Sequence, residues 1–194
     1  MQEYNIDVIE SAPFAQMAYV LWRPERTDAV VVDPGFDVRT ILELLKSDGR
    51  SLAAILNTHG HVDHIAGNAA LKEAHPDAPL VIGRNEAPLL ADPDRNLSAP
   101  FGVPVASPPA DRLVDDGETF EYAGFTFQTR EIPGHSPGSV IYLCEDFQPP
   151  FILGGDVLFA GSIGRTDLAE GDYNQLMEGI VAKLLSLPDD VRIH

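Results

Sequence analysis

The segment Thr58-His59-Gly60-His61-Val62-Asp63-His64 places three of the chain's six histidines and an aspartate within seven residues. In an extended segment the side chains alternate, so His59 and His61 point to the same side and can converge on one ion. Asp63 and His64 are adjacent, and they point away from each other or toward a second ion. Imidazole nitrogen and carboxylate oxygen are ligands for Zn²⁺, Fe or Mn. The segment therefore predicts a metal site.

The sequence on both sides of this segment predicts where the site lies in the fold. The apolar run 52–56 predicts a buried strand before the histidines, and 66–74 predicts a helix after them. The histidines then lie at the carboxyl end of a strand, where the sites of α/β proteins cluster. Further predicted strands cover 4–9, 14–21, 29–32, 80–82, 120–122, 125–129, 140–143, 151–153 and 191–193, and further helices cover 38–45, 85–90 and 173–185. Two packed sheets with helices outside satisfy this order.

Two later positions agree with the first segment. His135 lies in the turn-forming stretch Pro133-Gly134-His135, and Asp156 follows Gly154-Gly155 directly after a buried strand. Glycines allow backbone to approach a site closely. We therefore expect both residues to be ligands. His75 has no such context and is predicted not to bind metal, and Cys144 ends an apolar strand pattern and is predicted to be a core residue.

The composition narrows the class of protein. The chain has 194 residues, with 13 Lys and Arg against 30 Asp and Glu, which gives a net charge of −17. Such a charge repels polyanions, so a nucleic-acid partner is not expected. No segment has the about 20 apolar residues of a membrane span, and the N-terminal residues do not resemble a signal peptide. The single cysteine suits a reducing compartment, so we expect a cytoplasmic location.

The ordered set of motifs resembles the metallo-β-lactamase superfamily. The match comprises Thr58 to His64, His135, Asp156 and the early stretch Val31-Val32-Asp33-Pro34-Gly35. The stretch 161–168, Gly-Ser-Ile-Gly-Arg-Thr-Asp-Leu, is similar to one found in glyoxalase II-like hydrolases and in persulfide dioxygenases. The resemblance implies an α/β fold of the αββα type, in which two mixed sheets pack face to face between helices and the metals lie at one edge.

The resemblance also implies a role for each residue. His59, His61 and His135 would hold a first metal, Asp63 and His64 would help to hold a second, and Asp156 would bridge both. Asp33 would support the histidine segment by hydrogen bonding, although an aspartate before Pro-Gly is also an ordinary turn residue. The family usually supplies one more histidine after the last strand, whereas this sequence ends at His194. We expect a single domain over residues 1–194 whose C-terminal end is truncated before that ligand, with partial occupancy of the second metal site.

The implied activity is hydrolysis of a small thioester in the manner of glyoxalase II, with a glutathione conjugate as the expected substrate. Two divalent ions, Zn²⁺ first and Fe or Mn otherwise, would supply hydroxide at neutral pH, and Asp63 would orient it as the catalytic carboxylate. A thiol leaves as thiolate without a dedicated acid, which favours thioesters over amides. Arg165 is a candidate for binding a substrate carboxylate or for pairing with Asp167.

Two other functions remain open. A persulfide dioxygenase on the same fold would bind one iron through two histidines and a carboxylate, for which the candidates are His61, His135 and Asp156. Val62 stands where the dioxygenases usually have alanine, which favours the hydrolase. A non-catalytic family member is the second alternative. A secreted β-lactamase is disfavoured, since no signal peptide is indicated and Asp156 occupies the bridging position.

Overall fold

The computed structural model describes residues 3–194. The strands are β1 (Asn5–Ser11), β2 (Gln16–Trp22), β3 (Asp28–Val32), β4 (Ser51–Asn57), β5 (Leu80–Gly83), β6 (Arg112–Val114), β7 (Thr119–Tyr122), β8 (Phe125–Glu131), β9 (Val140–Cys144), β10 (Phe151–Leu153), β11 (Leu158–Phe159), β12 (Ser162–Ile163) and β13 (Arg192–Ile193). The α-helices are α1 (Val38–Ser47), α2 (Val62–Ile65), α3 (Asn68–Ala74) and α4 (Tyr173–Lys183). Two 3₁₀ turns cover Ala87–Leu89 and Ala99–Phe101.

The strands form two large sheets and one short hairpin. The first sheet has the order β1-β2-β3-β4-β5-β6, antiparallel from β1 to β3 and parallel from β3 to β6. The second sheet has the order β13-β10-β9-β8-β7, in which only β13 and β10 pair in parallel. Strands β11 and β12 pair with each other. The mixed sheets of the predicted α/β class are confirmed.

Three clusters of buried apolar side chains pack between the layers of sheet and helix. Alternate side chains of β3 point to opposite faces, so Val30 and Val32 pack between the sheets while Ala29 and Val31 pack against the helices. Aromatic residues of the second sheet, such as Phe125 and Phe127, fill the inter-sheet core. Helix α4 covers the outer face of the second sheet through Leu176 and Ile180. The result is the αββα sandwich that the sequence predicts.

Differences from the predicted elements are local. The segment 85–90, predicted as a short helix, contains only a 3₁₀ turn at Ala87–Leu89. The histidine segment is not extended throughout, because the short helix α2 begins at Val62 and includes Asp63 and His64. The N–H group of Val62 donates to the carbonyl of Asn96, so a distant loop satisfies this helix terminus. Strands β6, β11 and β12 were not predicted.

Among residues 3–194, none of the helices combines the length and the apolar character needed to cross a lipid bilayer.

Candidate metal centre

The candidate site lies at one edge of the sandwich, where segments from both sheets meet. His59 and His61 follow the carboxyl end of β4, and Asp33 follows the adjacent strand β3. His135 lies between β8 and β9, and Asp156 follows β10. The N–H group of Val140 donates to the carbonyl of Thr58 at 2.8 Å, which joins the two sheets at this edge. The fold thereby brings together residues that are up to 123 positions apart.

One group of potential ligands consists of His59, His61 and His135, whose nitrogen atoms all lie within 4.8 Å of one another. His135 Nε2 lies 2.9 Å from His61 Nδ1 and 3.3 Å from His59 Nε2. All three residues are buried. These are the three histidines that the sequence assigned to a first metal.

A second group consists of His59, His64 and Asp156. Asp156 Oδ1 lies 3.3 Å from His64 Nε2, and Asp156 Oδ2 lies 3.4 Å from His135 Nε2. Each carboxylate oxygen thus faces an imidazole of a different group. Asp63 Oδ2 is 3.8 Å from His64 Nε2, so Asp63 flanks the second group.

Hydrogen bonds on the outer side of three imidazoles set which nitrogen carries the proton. His135 Nδ1 lies 2.9 Å from the carbonyl oxygen of Arg165, which can only accept, so Nδ1 carries the hydrogen. His64 Nδ1 donates in the same way to Asp33 Oδ2 at 3.0 Å. His59 Nδ1 lies 3.1 Å from the hydroxyl of Thr58, whose own hydrogen goes to Asp33. The inward-facing Nε2 atoms of His59 and His135 therefore carry lone pairs.

These lone pairs fit a bound cation. The Nε2 atoms of His59 and His135 face each other without a hydrogen between them, which is repulsive unless a positive charge lies near both. His64 Nε2 is buried, and among residues 3–194 it makes no hydrogen bond of good geometry, although Asp156 Oδ1 lies 3.3 Å away. Burial lowers the pKa of His59, His61 and His135, and neighbouring histidines add to this, with His61 at about 3. Neutral imidazoles with inward lone pairs are the form that binds a divalent ion.

The pKa values of His64 and Asp156 are shifted by their mutual contact, unlike those of His59, His61 and His135, which burial lowers. Burial opposes protonation of His64, but the carboxylates of Asp33 and Asp156 on either side raise its pKa. Burial raises the pKa of Asp156, yet His64 outweighs this, and the net pKa falls to about 2. Asp63 has a raised pKa because it is largely buried. Asp156 is therefore an anionic partner for whichever cation, proton or metal, lies beside His64.

Asp33 accepts three hydrogen bonds in this region. Its Oδ1 accepts the N–H group of Thr58 at 2.8 Å, and its Oδ2 accepts the hydroxyl of Thr58 at 2.6 Å and the Nδ1 hydrogen of His64. The side chain is buried, and the backbone has a φ of 50°, which aspartate tolerates better than most residues. The aspartate is thus both a turn residue and a contact of the histidine segment.

A cavity of about 840 Å³ opens beside the second group. Asp63, His64 and Asp156 line one side, and mostly apolar side chains such as Phe14, Met17 and Phe159 line the rest. The polar groups of Gln16, Tyr19 and His194 also line the cavity. Within the described part of the chain, the lining includes neither lysine nor arginine. A second cavity of about 220 Å³ lies on the other side of His61 and His135, and Arg95 at its wall is ion-paired with Glu170 at 2.7 Å.

Other predicted residues have the following places. The guanidinium of Arg165 is exposed and forms a 2.8 Å ion pair with Asp167, and only its carbonyl oxygen contacts the site. His194 lines the large cavity but belongs to neither ligand group. His75 ends α3 outside both groups. Cys144 is buried in the inter-sheet core, as predicted, and burial raises the pKa of its thiol.

Three contributors to the site were missed from the sequence. Thr58 joins Asp33 to His59, Gly164 lies against the carbonyl of Asp156, and Glu86 hydrogen-bonds to both histidine loops. The Gly-rich stretch 161–164 was a usable signal for Gly164. Glu86 lies in a segment with no motif, so its contacts depend on the tertiary structure alone.

This chain is similar to several known proteins. The probable metallo-hydrolase YqgX of Bacillus subtilis is 38% identical over 91% of this chain and 82% of its own length. Hydroxyacylglutathione hydrolase GloC of Haemophilus influenzae is 32% identical over 97% of this chain and 88% of its own length. Human mitochondrial persulfide dioxygenase ETHE1 is 30% identical over 91% of this chain and 61% of its own length.

Solved structures show the same fold. The structure of BLEG-1 B3 metallo-β-lactamase superimposes with a TM-score of 0.88 at 37% identity, covering 95% of this chain and 87% of that one. The di-iron-bound form of TTHA1623 gives a TM-score of 0.79 at 32% identity, covering 97% and 90%. The family model for the metallo-β-lactamase superfamily matches residues 12–194. This chain belongs to the metallo-β-lactamase superfamily.

Proposed function

We propose that this protein is a metal-dependent hydrolase that acts on thioesters. The proposal depends on the position of Asp156. One of its oxygens faces His64 and the other faces His135, and these two histidines belong to different ligand groups. A carboxylate placed in this way suits a pair of ions, and a pair of ions suits hydrolysis. The 32% identity to a hydroxyacylglutathione hydrolase supports the thioester as the substrate class.

The proposed ligands are those that the family resemblance implies. His59, His61 and His135 would hold the first ion, Asp63 and His64 would help to hold the second, and Asp156 would contact both. The second group contains His59 in addition, and Asp63 flanks it. Zn²⁺ is the first candidate, and iron and manganese suit the same nitrogen and oxygen donors. We infer one domain for residues 1–194, which is supported by an inter-sheet core that includes both sheets.

Bound divalent ions would supply Lewis acidity and would make water acidic enough to act as a nucleophile near pH 7. The chain's own residues do the rest. Asp63 lines the large cavity and lies 3.8 Å from His64, so its carboxylate can accept a hydrogen bond from water and aim the oxygen. Thr58 and the carbonyl of Arg165 keep the inward nitrogens of His59 and His135 unprotonated, and Asp33 holds Thr58 and His64 in place.

The large cavity fits the chemistry of a thioester. A thiol with a pKa near 8.5 leaves as the thiolate, which needs no proton. The residues that line the cavity therefore need not include a general acid for the leaving group. Phe14, Met17 and Phe159 offer apolar surface to the acyl or thiol portion. Because this lining contains neither lysine nor arginine among residues 3–194, we expect the two carboxylates of glutathione to lie outside it or to meet solvent.

A thioester panel tests the proposal. Protein loaded with Zn²⁺, Mn²⁺ or Fe²⁺ is given an α-hydroxyacyl glutathione and an apolar acyl thioester of a neutral thiol, and thiol release is measured. Hydrolysis with two ions per chain is expected, and Phe14→Ala should raise KM more for the apolar substrate. No release with any of the three metals would reject the proposal and would favour a non-catalytic role.

A persulfide dioxygenase is the second candidate, favoured by the 30% identity to human ETHE1. The same protein is therefore given glutathione persulfide in an oxygen electrode. One iron per chain with oxygen uptake, and no thioester hydrolysis, would replace the hydrolase proposal. A chromogenic cephalosporin belongs in the panel as well, since BLEG-1 is described as a B3 β-lactamase.

A further inference from the structure

Glu86 is a fully buried carboxylate outside the ligand groups. It precedes the 3₁₀ turn at Ala87–Leu89, on the connection that leaves β5. Burying a carboxylate is costly unless its oxygens are satisfied. Here the partners are two backbone N–H groups and one hydroxyl rather than a cation. The three donors satisfy both oxygens of the buried carboxylate.

The two oxygens of Glu86 join two separate loops. Oε2 accepts the N–H group of Gly60 at 2.8 Å, and Gly60 lies between His59 and His61. Oε1 accepts the hydroxyl of Ser136, the residue directly after His135, at 2.7 Å. The same oxygen accepts the N–H group of Gly138, in the same loop, at 2.6 Å. One carboxylate therefore spans the loops that carry all three histidines of the first ligand group.

Close packing reinforces these hydrogen bonds. A Cβ atom at Gly60 would lie 2.5 Å from the Cβ of Leu89, and one at Gly138 would overlap the Cβ of Asn85. The segment that carries Glu86 therefore lies directly against both loops, and only glycine at these two positions permits the approach. The carboxylate cannot move away from one loop without loosening its contact with the other.

We propose that Glu86 is a positioning residue that sets the separation between His135 and the pair His59 and His61, and thereby the affinity and geometry of the first metal site. The inference rests on the metal-binding function proposed above. Residues that orient metal ligands from outside typically change metal affinity by about 10- to 100-fold when they are removed. Glu86 acts on the backbone of the loops rather than on the rings themselves.

Glu86→Gln tests the proposal, because the amide keeps the shape but replaces one accepting oxygen with a donor. Zn²⁺ affinity is measured by competition with a chromophoric chelator, the Co²⁺ absorption spectrum is recorded, and the melting temperature of the metal-free protein is determined. We expect a 10- to 100-fold loss of affinity and an altered Co²⁺ spectrum in a variant that still folds. Ser136→Ala removes one of the three hydrogen bonds and should give a smaller loss.

Asp92→Asn is the matched control, since Asp92 also accepts backbone N–H groups but does so at the surface, from Asp94 and Arg95. It should bind Zn²⁺ like the wild type. Wild-type affinity and an unchanged spectrum in folded Glu86→Gln would overturn the inference and leave the proposed function intact. Should Glu86→Gln not fold, Ser136→Ala decides by the same two readouts. A wild-type chain that binds no metal would reject both proposals together.

Discussion

The Nε2 atoms of His59 and His135 lie 3.3 Å apart, and the outer nitrogen of each ring is held by an oxygen atom of Thr58 or Arg165. Since neither Nε2 carries a hydrogen in this arrangement, the two lone pairs face each other. The surrounding hydrogen bonds thus orient the rings of the first ligand group.

Asp33→Asn should weaken metal binding. The asparagine keeps the left-handed backbone at a φ of 50° but cannot accept all three hydrogen bonds from Thr58 and His64. We expect Zn²⁺ affinity to fall by about 10- to 100-fold, measured by chelator competition. Asp37→Asn is the control, because Asp37 accepts only the surface N–H group of Ala12. Equal affinities in the two variants would show that Asp33 is merely a turn residue.

Asp156→Ala should lose metal and activity together, because it removes both oxygens that face His64 and His135. Metal content by elemental analysis and thioester hydrolysis are the measurements. His75→Ala should leave both quantities at the wild-type level, since His75 lies outside the ligand groups. A fully loaded and fully active Asp156→Ala protein would contradict the bridging assignment.

Gly164→Ala should displace the site without touching a ligand side chain. A Cβ atom there would overlap the carbonyl oxygen of Asp156 and lie 3.2 Å from His135 Nδ1. We expect at least about 10-fold weaker Zn²⁺ binding, as for other contacts that orient ligands. Gly161→Ala is the control, because its surroundings are open and alanine at its φ of 84° should cost only about 1–2 kcal/mol of stability. Unchanged binding in Gly164→Ala would show that this loop is free to move.

Asp111→Asn should lower the melting temperature at neutral pH but not in acid. The N–H group of Leu80 and the ammonium of Lys72 hydrogen-bond to the Asp111 carboxylate, and together they lower its pKa. A lowered pKa contributes stability that is present above the unfolded value of about 4 and is lost as the pH falls through the folded value. The difference in melting temperature between wild type and variant should therefore shrink below pH 4. A difference that stays constant down to pH 2 would contradict this.

Local patterns in the sequence determined much of the fold and the set of candidate ligands. The continuous apolar run 52–56 predicted a buried strand, and Ile55 and Leu56 of β4 do pack on opposite sides of the first sheet. Each candidate ligand has a local signal in the sequence. The histidines of 59–64 form a dense cluster, and His135 and Asp156 each follow glycine in a predicted turn beside a strand. Such signals depend only on residues that are neighbours along the chain, so they can be recognised without the tertiary structure.

Only the tertiary structure decided how these residues contact one another. Spacing does not reveal that Asp33 meets Thr58 and His64, or that Glu86 joins two loops 76 residues apart, because those hydrogen bonds form between strands and loops of different regions. A lone glutamate in a polar segment is expected to be exposed, and burial becomes favourable only when three distant donors converge on it. The extended conformation expected through His64 was wrong for the same reason, since the carbonyl of Asn96 stabilises a helix start at Val62.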